Sequence, residues 1–201
     1  KFVNFSNEIM LDFTKDKFSC CVLGLGYIGL PTAALIAKTK NKVIGVDINE
    51  KVVDLVNNGR IHIIEKGLDN LVENVVKHGY LKAQTIPSRA DVFVIAVPTP
   101  LVLNKNQLPK PNIDYVLNAA RSISKIVEPG NLIIIESTSP VGTTEKVADL
   151  ICKESGIPIN QISIAYCPER VMPGNALSEI ILNSRVIGGI DNVSSNNGEK
   201  F

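Results

Sequence analysis

Short runs of continuously apolar residues recur along the chain, and between them apolar positions return every three or four residues. The runs at 20–23, 42–46, 91–97, 131–136 and 162–166 lack a polar face, the pattern of strands covered on both sides in a parallel sheet. The intervening segments predict helices. One over 27–40 carries alanines at 33, 34 and 37 for close approach to a sheet; one over 49–58 presents Val52, Val53, Leu55 and Val56; Leu68, Leu71, Val72, Val75 and Val76 set a third, up to Gly79. Further helices are expected over 115–127, capped by Asp114, and from 144 to 155, with short strands at 81–86 and 185–189. Strand alternating with helix predicts an α/β fold: a doubly wound parallel sheet forming a single domain over 19–190.

The first strand runs straight into Gly24-Leu25-Gly26-Tyr27-Ile28-Gly29. Gly24 supplies a tight turn, Gly26 lets a pyrophosphate approach the backbone, and Gly29 lets the helix pack close to the strand, so the fold is Rossmann-like and the ligand a dinucleotide. The anion would sit on free N–H groups at the helix start, with Tyr27 and Ile28 beside it. Asp47 ends the second strand about 20 residues beyond the first glycine, the spacing of a ribose-binding carboxylate. A 2′-phosphate would be repelled there and no arginine follows nearby, which selects NAD over NADP.

Four segments depart from regularity. Pro31 lies inside the first helix and predicts a kink or a loosened first turn. Phe2, Phe5, Ile9 and Phe13 make 1–18 an amphipathic arm, 101–112 is a polar, proline-rich lid or edge, and 191–201 is a polar tail, expected exposed and disordered.

Composition narrows the partners. A formal charge of +1 from 21 basic and 20 acidic residues leaves no basic footprint for nucleic acid, and no apolar stretch approaches a membrane span, so the expected partner is a small molecule. Residues 1–19 lack the apolar core of a secretory signal. Cys20, Cys21, Cys152 and Cys167 match neither a disulfide framework nor a zinc site, and His62 and His78 are isolated, so no metal is expected and reduced thiols point to the cytoplasm.

Val97, Pro98 and Thr99, where the fourth apolar strand opens, belong to the cofactor side, as does the hydroxyl-rich turn at 137–144, where a nicotinamide ring could be met. Read alone, Thr138 reads as a helix cap and Glu169 as a loop ion-pair partner sooner than as catalytic groups.

Taken in order, the glycine turn followed by Leu30-Pro31, Val97-Pro98-Thr99-Pro100, Glu136-Ser137-Thr138-Ser139-Pro140-Val141-Gly142-Thr143-Thr144, and Tyr166-Cys167-Pro168-Glu169-Arg170-Val171-Met172-Pro173-Gly174 resemble the N-terminal half of the nucleotide-sugar 6-dehydrogenases, the UDP-glucose and GDP-mannose dehydrogenase family. The resemblance spans about 20–190. Pro168-Glu169-Arg170 with Pro173-Gly174 and Arg185-Val186-Ile187-Gly188-Gly189 look most like its UDP-N-acetylmannosamine branch. It implies oxidation of a sugar primary alcohol to a carboxylate with two NAD molecules in turn, through a cysteine-bound thioester. Thr138 matches the residue that holds catalytic water, and Glu169 the glutamate that assists thioester hydrolysis. Pro173 stands where the UDP-glucose enzymes carry a second glutamate, and Glu136 where they carry lysine. Arg170 replaces their aromatic residue and is expected to face substrate.

The resemblance puts the family's nucleophilic cysteine and dimer helix beyond Phe201, so the expectation is a homodimer at full length and a fragment that binds NAD without turnover. Cys167, with no histidine near it in sequence, is not taken as a substitute nucleophile. A stand-alone NAD-sensing module and a UDP-glucose or GDP-mannose 6-dehydrogenase remain the alternatives.

Overall fold

The computed structural model describes residues 17–102 and 108–201; most of the expected N-terminal arm and the centre of the 101–112 loop lie outside these. The strands are β1 (Ser19–Leu23), β2 (Lys42–Val46), β3 (Leu81–Gln84), β4 (Val92–Ile95), β5 (Leu101–Val102), β6 (Lys110–Pro111), β7 (Leu132–Ile135), β8 (Ser163–Tyr166) and β9 (Gly188–Gly189). The helices are α1 (Gly29–Lys38), α2 (Glu50–Asn57), α3 (Leu68–Lys77), α4 (Asp114–Ile123), α5 (Thr143–Ser155), α6 (Ala176–Leu182) and α7 (Asn192–Lys200).

Seven strands form one sheet in the order β3-β2-β1-β4-β7-β8-β9, parallel except at β9. The order reverses between β1 and β4, the switch point at which a crevice opens beyond the carboxyl ends of the strands. Alternation along each strand feeds two cores. Cys20 and Val22 face Ala33, Val56, Val72 and Val75 of α1, α2 and α3, whereas Cys21 and Leu23 face Val116, Ile123, Val147 and Ile151 of α4 and α5. Burial on both faces is why the strands read as unbroken apolar runs. The described part of the 101–112 loop is a small antiparallel hairpin, β5 with β6, exposed at the edge.

Several expectations are corrected. Pro31 is the third residue of α1, where no N–H has an intrahelical partner, so its missing donor costs nothing. Leu30 N donates to Gly26 O (3.2 Å) and Thr32 N to Ile28 O (3.1 Å), closing the turn on either side of the proline rather than loosening it. Asp114 is not a cap: it is the first residue of α4, and its N–H donates to Asn112 Oδ1 at 2.8 Å. The 185–189 strand shrinks to two residues and runs antiparallel, because the chain turns back at the same end of the sheet instead of crossing over it. Unforeseen, α6 occupies that excursion.

The polar tail is a helix. Asp191 caps α7, its Oδ1 accepting from Ser194 N at 2.7 Å. Ser194 Oγ accepts from Ile164 N (3.2 Å), and Asn197 Nδ2 donates to Ser163 Oγ (2.8 Å). A Cβ on Gly198 would stand 3.2 Å from that of Ala165. Small polar side chains here let a helix lie close on the sheet edge and satisfy its polar groups; composition alone cannot separate that from disorder.

Candidate cofactor and substrate site

Every candidate residue lies just beyond the carboxyl end of a strand: Gly24 after β1, Asp47 after β2, Val97 to Thr99 after β4, Thr138 after β7, and Glu169 with Arg170 after β8. The parallel register brings these loops to one edge of the sheet.

The three glycines of the first turn differ in what surrounds them. Gly24 has φ +92°, and a Cβ there would lie 2.6 Å from Ala96 O; on Gly29 it would lie 1.9 Å from Gly24 O. Both are required by packing alone. Gly26 has nothing within 4 Å of its missing Cβ, so its bare backbone faces open space, a cradle that a side chain would fill and a pyrophosphate fits. Tyr27 is 47% exposed beside it and Ile28 half-buried.

Asp47 is built into the turn: its Oδ2 accepts from Leu25 N (3.0 Å) and its Oδ1 from Asn49 N (2.9 Å). Each oxygen keeps a lone pair for a ribose hydroxyl, and the two bonds hold the carboxylate in place. The aspartate thus ties the glycine turn to the start of α2.

The loop after β7 is fastened on several sides. Ser137 Oγ is 3.1 Å from Ile95 O and 2.8 Å from Val97 O, and Thr99 Oγ1 donates to Thr138 O at 2.7 Å. Tyr166 Oη accepts from Ser139 N (3.1 Å) and lies 3.3 Å from Ser139 O. The N-cap of α5 is Gly142, so Thr138 is not a helix cap, and it stands exposed at the crevice.

Behind this loop lies a buried charge cluster. Arg185 Nη2 donates to Glu136 Oε1 at 2.8 Å, Arg185 Nη1 lies 3.0 Å from Glu169 Oε2, and Thr32 Oγ1 donates to Glu136 Oε2 at 3.0 Å. Glu169 is therefore an ion-pair partner, as one reading of the sequence allowed. The contact has the distance of a salt bridge without hydrogen-bond alignment, so the buried Glu169 Oε2 accepts no hydrogen bond among the described residues. Burial pushes Glu136 up to about 7, against the lowering by the hydrogen bond and charge of Arg185; the charge of Glu169 adds to the rise and the Thr32 bond opposes it. For Arg185, burial works against the cation, but the hydrogen bond and charge of Glu136, with Cys167 and Glu169, outweigh it and hold the guanidinium above its ordinary value.

Cys167 is buried, and burial raises its thiol against the lowering by the charge and hydrogen bond of Arg185, whose Nε lies 3.2 Å from Sγ. That is a packed thiol rather than a ready nucleophile. Arg170 is exposed and lines an open groove of about 490 Å³ with Leu182, Asn183 and Ser184; its N–H donates to Glu169 Oε1 at 2.8 Å. Arg185 and Thr32 escaped the sequence reading: Arg185 enters it only within the 185–189 strand and the branch motif, and nothing in the local pattern singles out Thr32. No helix among the described residues is long and apolar enough to cross a membrane.

Residues 18–201 match the model of the UDP-glucose/GDP-mannose dehydrogenase family, NAD binding domain. The chain is 53% identical to a UDP-N-acetyl-D-mannosamine dehydrogenase of Campylobacter jejuni, over 85% of this chain and 43% of that protein. It is 49% identical to an NDP-N-acetyl-D-galactosaminuronic acid dehydrogenase of Ralstonia nicotianae, over 84% and 41%. The solved UDP-N-acetyl-mannosamine dehydrogenase of Staphylococcus aureus superposes with a TM-score of 0.85 at 41% identity, over 90% of this chain and 44% of that one. The chain thus spans less than half the length of these relatives. With an open glycine turn, a carboxylate bonded to it and a switch-point crevice in one place, and a family model matched from 18 to 201, the chain belongs to the UDP-glucose/GDP-mannose dehydrogenase family as its NAD-binding domain.

Proposed function

We propose that this domain serves an enzyme oxidising the primary alcohol of a UDP-hexose, UDP-N-acetylmannosamine foremost, to the uronate in two NAD-dependent steps. The observation that carries the reading is the convergence of Thr138 and Glu169 on the edge that holds the glycine cradle. The relatives named above for N-acetylated sugars support the acetamido-sugar class over glucose or mannose.

Bound NAD would supply the hydride acceptor. The N–H groups of the 24–29 turn, with Tyr27 and Ile28 beside them, hold the pyrophosphate; Asp47 takes the adenosine ribose; Val97, Pro98, Thr99 and Thr138 border the nicotinamide. The Thr138 hydroxyl orients water, Glu169 takes its proton as the thioester is hydrolysed, and exposed Arg170 meets the anionic substrate. The thioester-forming cysteine belongs to the portion of the relatives' length that this chain does not span, so the domain alone binds cofactor without turnover. The full-length protein works as a homodimer in the cytoplasm.

The pairing of Glu169 with Arg185 favours a second reading, an NAD-binding module whose charge cluster is purely structural. A coupled NADH assay of the full-length protein with UDP-N-acetylmannosamine, UDP-glucose and GDP-mannose tests the choice. Turnover with the first alone is expected; equal rates with all three undo the substrate assignment, and none with any favours the second reading. Arg170→Leu is expected to raise KM for the sugar nucleotide, and an unchanged KM removes Arg170 from the site.

A further inference from the structure

Arg185 is shared by two buried carboxylates: Glu136 is 3% exposed, and the Glu169 side chain 5%. The guanidinium meets them through different terminal nitrogens, Nη2 to Glu136 and Nη1 to Glu169, a division that its planar fork permits and an ammonium does not. Glu136 is fixed from its other side by Thr32, in the first turn of the helix that follows the glycine cradle. Glu169 takes one hydrogen bond at Oε1, from Arg170 N, while Oε2 has a charge partner without a hydrogen bond. A carboxylate that must accept a proton needs a compensated charge, a fixed orientation and an uncommitted lone pair, and Glu169 Oε2, though buried, accepts no hydrogen bond among the described residues.

We propose that Arg185 is the positioning residue of Glu169, holding its carboxylate in one orientation behind the loop that carries Thr138 while Glu136 and Thr32 anchor the guanidinium to the first turn of α1. The proposal rests on the reading of Glu169 as the base of the hydrolytic step. It links the segment that binds cofactor to the residue that completes turnover, through side chains far apart in sequence.

The test uses the full-length protein with UDP-N-acetylmannosamine, following NADH before and during steady state. Both hydride transfers precede hydrolysis, so Glu169→Gln gives a fast NADH phase and then a slow steady rate. Arg185→Lys, which keeps the charge and loses the fork, gives the same two-phase trace with kcat down on the order of 10- to 100-fold and KM for NAD within about twofold. Placed on Glu169→Gln, it lowers kcat by no more than about twofold further, because its effect runs through Glu169. Full additivity, or Arg185→Lys with undiminished kcat beside a crippled Glu169→Gln, overturns the proposal and leaves the reading of Glu169 intact. Undiminished turnover in Glu169→Gln overturns that reading and the proposal with it. If Arg185→Lys does not fold, Thr32→Val carries the test: kcat falls a few-fold with Glu169 present and is unchanged in its absence, and any other pattern overturns the proposal.

Discussion

Gly29 and Gly24 stand so close that a Cβ on Gly29 would lie 1.9 Å from the carbonyl oxygen of Gly24. Helix α1 is seated directly on the turn that precedes it, and nothing but hydrogen fits between them. Gly26, two residues from Gly24, borders open space. One motif therefore contains two glycines required by the fold and one, Gly26, that packing does not require.

The distinction is measurable by alanine substitution at each position. Gly26→Ala should change stability by no more than about 0.5 kcal/mol, as at an open surface site, yet abolish the upward shift in Tm that NAD produces in the parent. Gly29→Ala should cost about 1–3 kcal/mol or prevent folding, because backbone must move to admit the methyl group. Melting curves with and without NAD separate the two, and a Gly26→Ala domain that NAD still stabilises would remove Gly26 from the cradle.

Asp47 carries a double load, since its carboxylate accepts from Leu25 N and Asn49 N before any ribose arrives. Asp47→Asn keeps the shape, loses the charge and keeps one of the two acceptors. Hydrogen bonds to a charged group contribute about 1.5–3 kcal/mol, so NAD affinity should fall at least tenfold, and the preference for NAD over NADP should narrow as the repulsion of a 2′-phosphate disappears. Calorimetric titration with both nucleotides gives the ratio; an unchanged ratio would count against the ribose role of Asp47.

The strands of the central sheet and the glycine turn were legible in the sequence because their signals, an apolar run and a glycine spacing, lie close along the chain, although the contacts they serve, such as Cys20 beside Val92, do not. Apolar runs reveal strands covered on two faces, and the glycine spacing reveals one turn. What escaped depends on partners brought together by folding. Glu136 and Arg185 are 49 residues apart and look like a strand end and a strand start. The direction of β9 is set by where the chain leaves β8, and α7 is held by Ser194 and Asn197 bonding to β8, contacts that no local pattern announces. Asp114 failed as a cap because the helix starts at Asp114 itself, one residue earlier than the periodicity suggests, which puts Ile113 in the N-cap position.

Tyr166 joins the last parallel strand to the loop that carries Thr138, through its hydroxyl at Ser139. Tyr166→Phe leaves Ser139 N without that acceptor, at an expected cost of about 1 kcal/mol, which for a domain of this size lowers Tm by about 2–4 °C. The slackened loop should also weaken the stabilisation by NAD. A melting temperature and NAD response equal to the parent's would mean that Ser137 and Thr99 suffice to hold the loop.

Glu136 makes stability depend on pH in a defined direction. Its carboxyl is raised from 4.5 to about 7, with Arg185, Glu169, Cys167, Cys20 and the Thr32 hydroxyl as the groups that face it or feel its charge. Between those two values the folded chain holds a proton that the unfolded chain has released, so unfolding sheds a proton and stability declines as pH rises. The stabilisation is complete below 4.5 and gone above about 7. Glu136→Gln cannot ionise and keeps an acceptor for Thr32, so its stability should lose this component of the decline. Urea unfolding of parent and variant at pH 5 and pH 8 reads the difference, and parallel slopes for the two proteins would show that the Glu136 carboxyl is ionised throughout, with the Arg185 cation prevailing over burial.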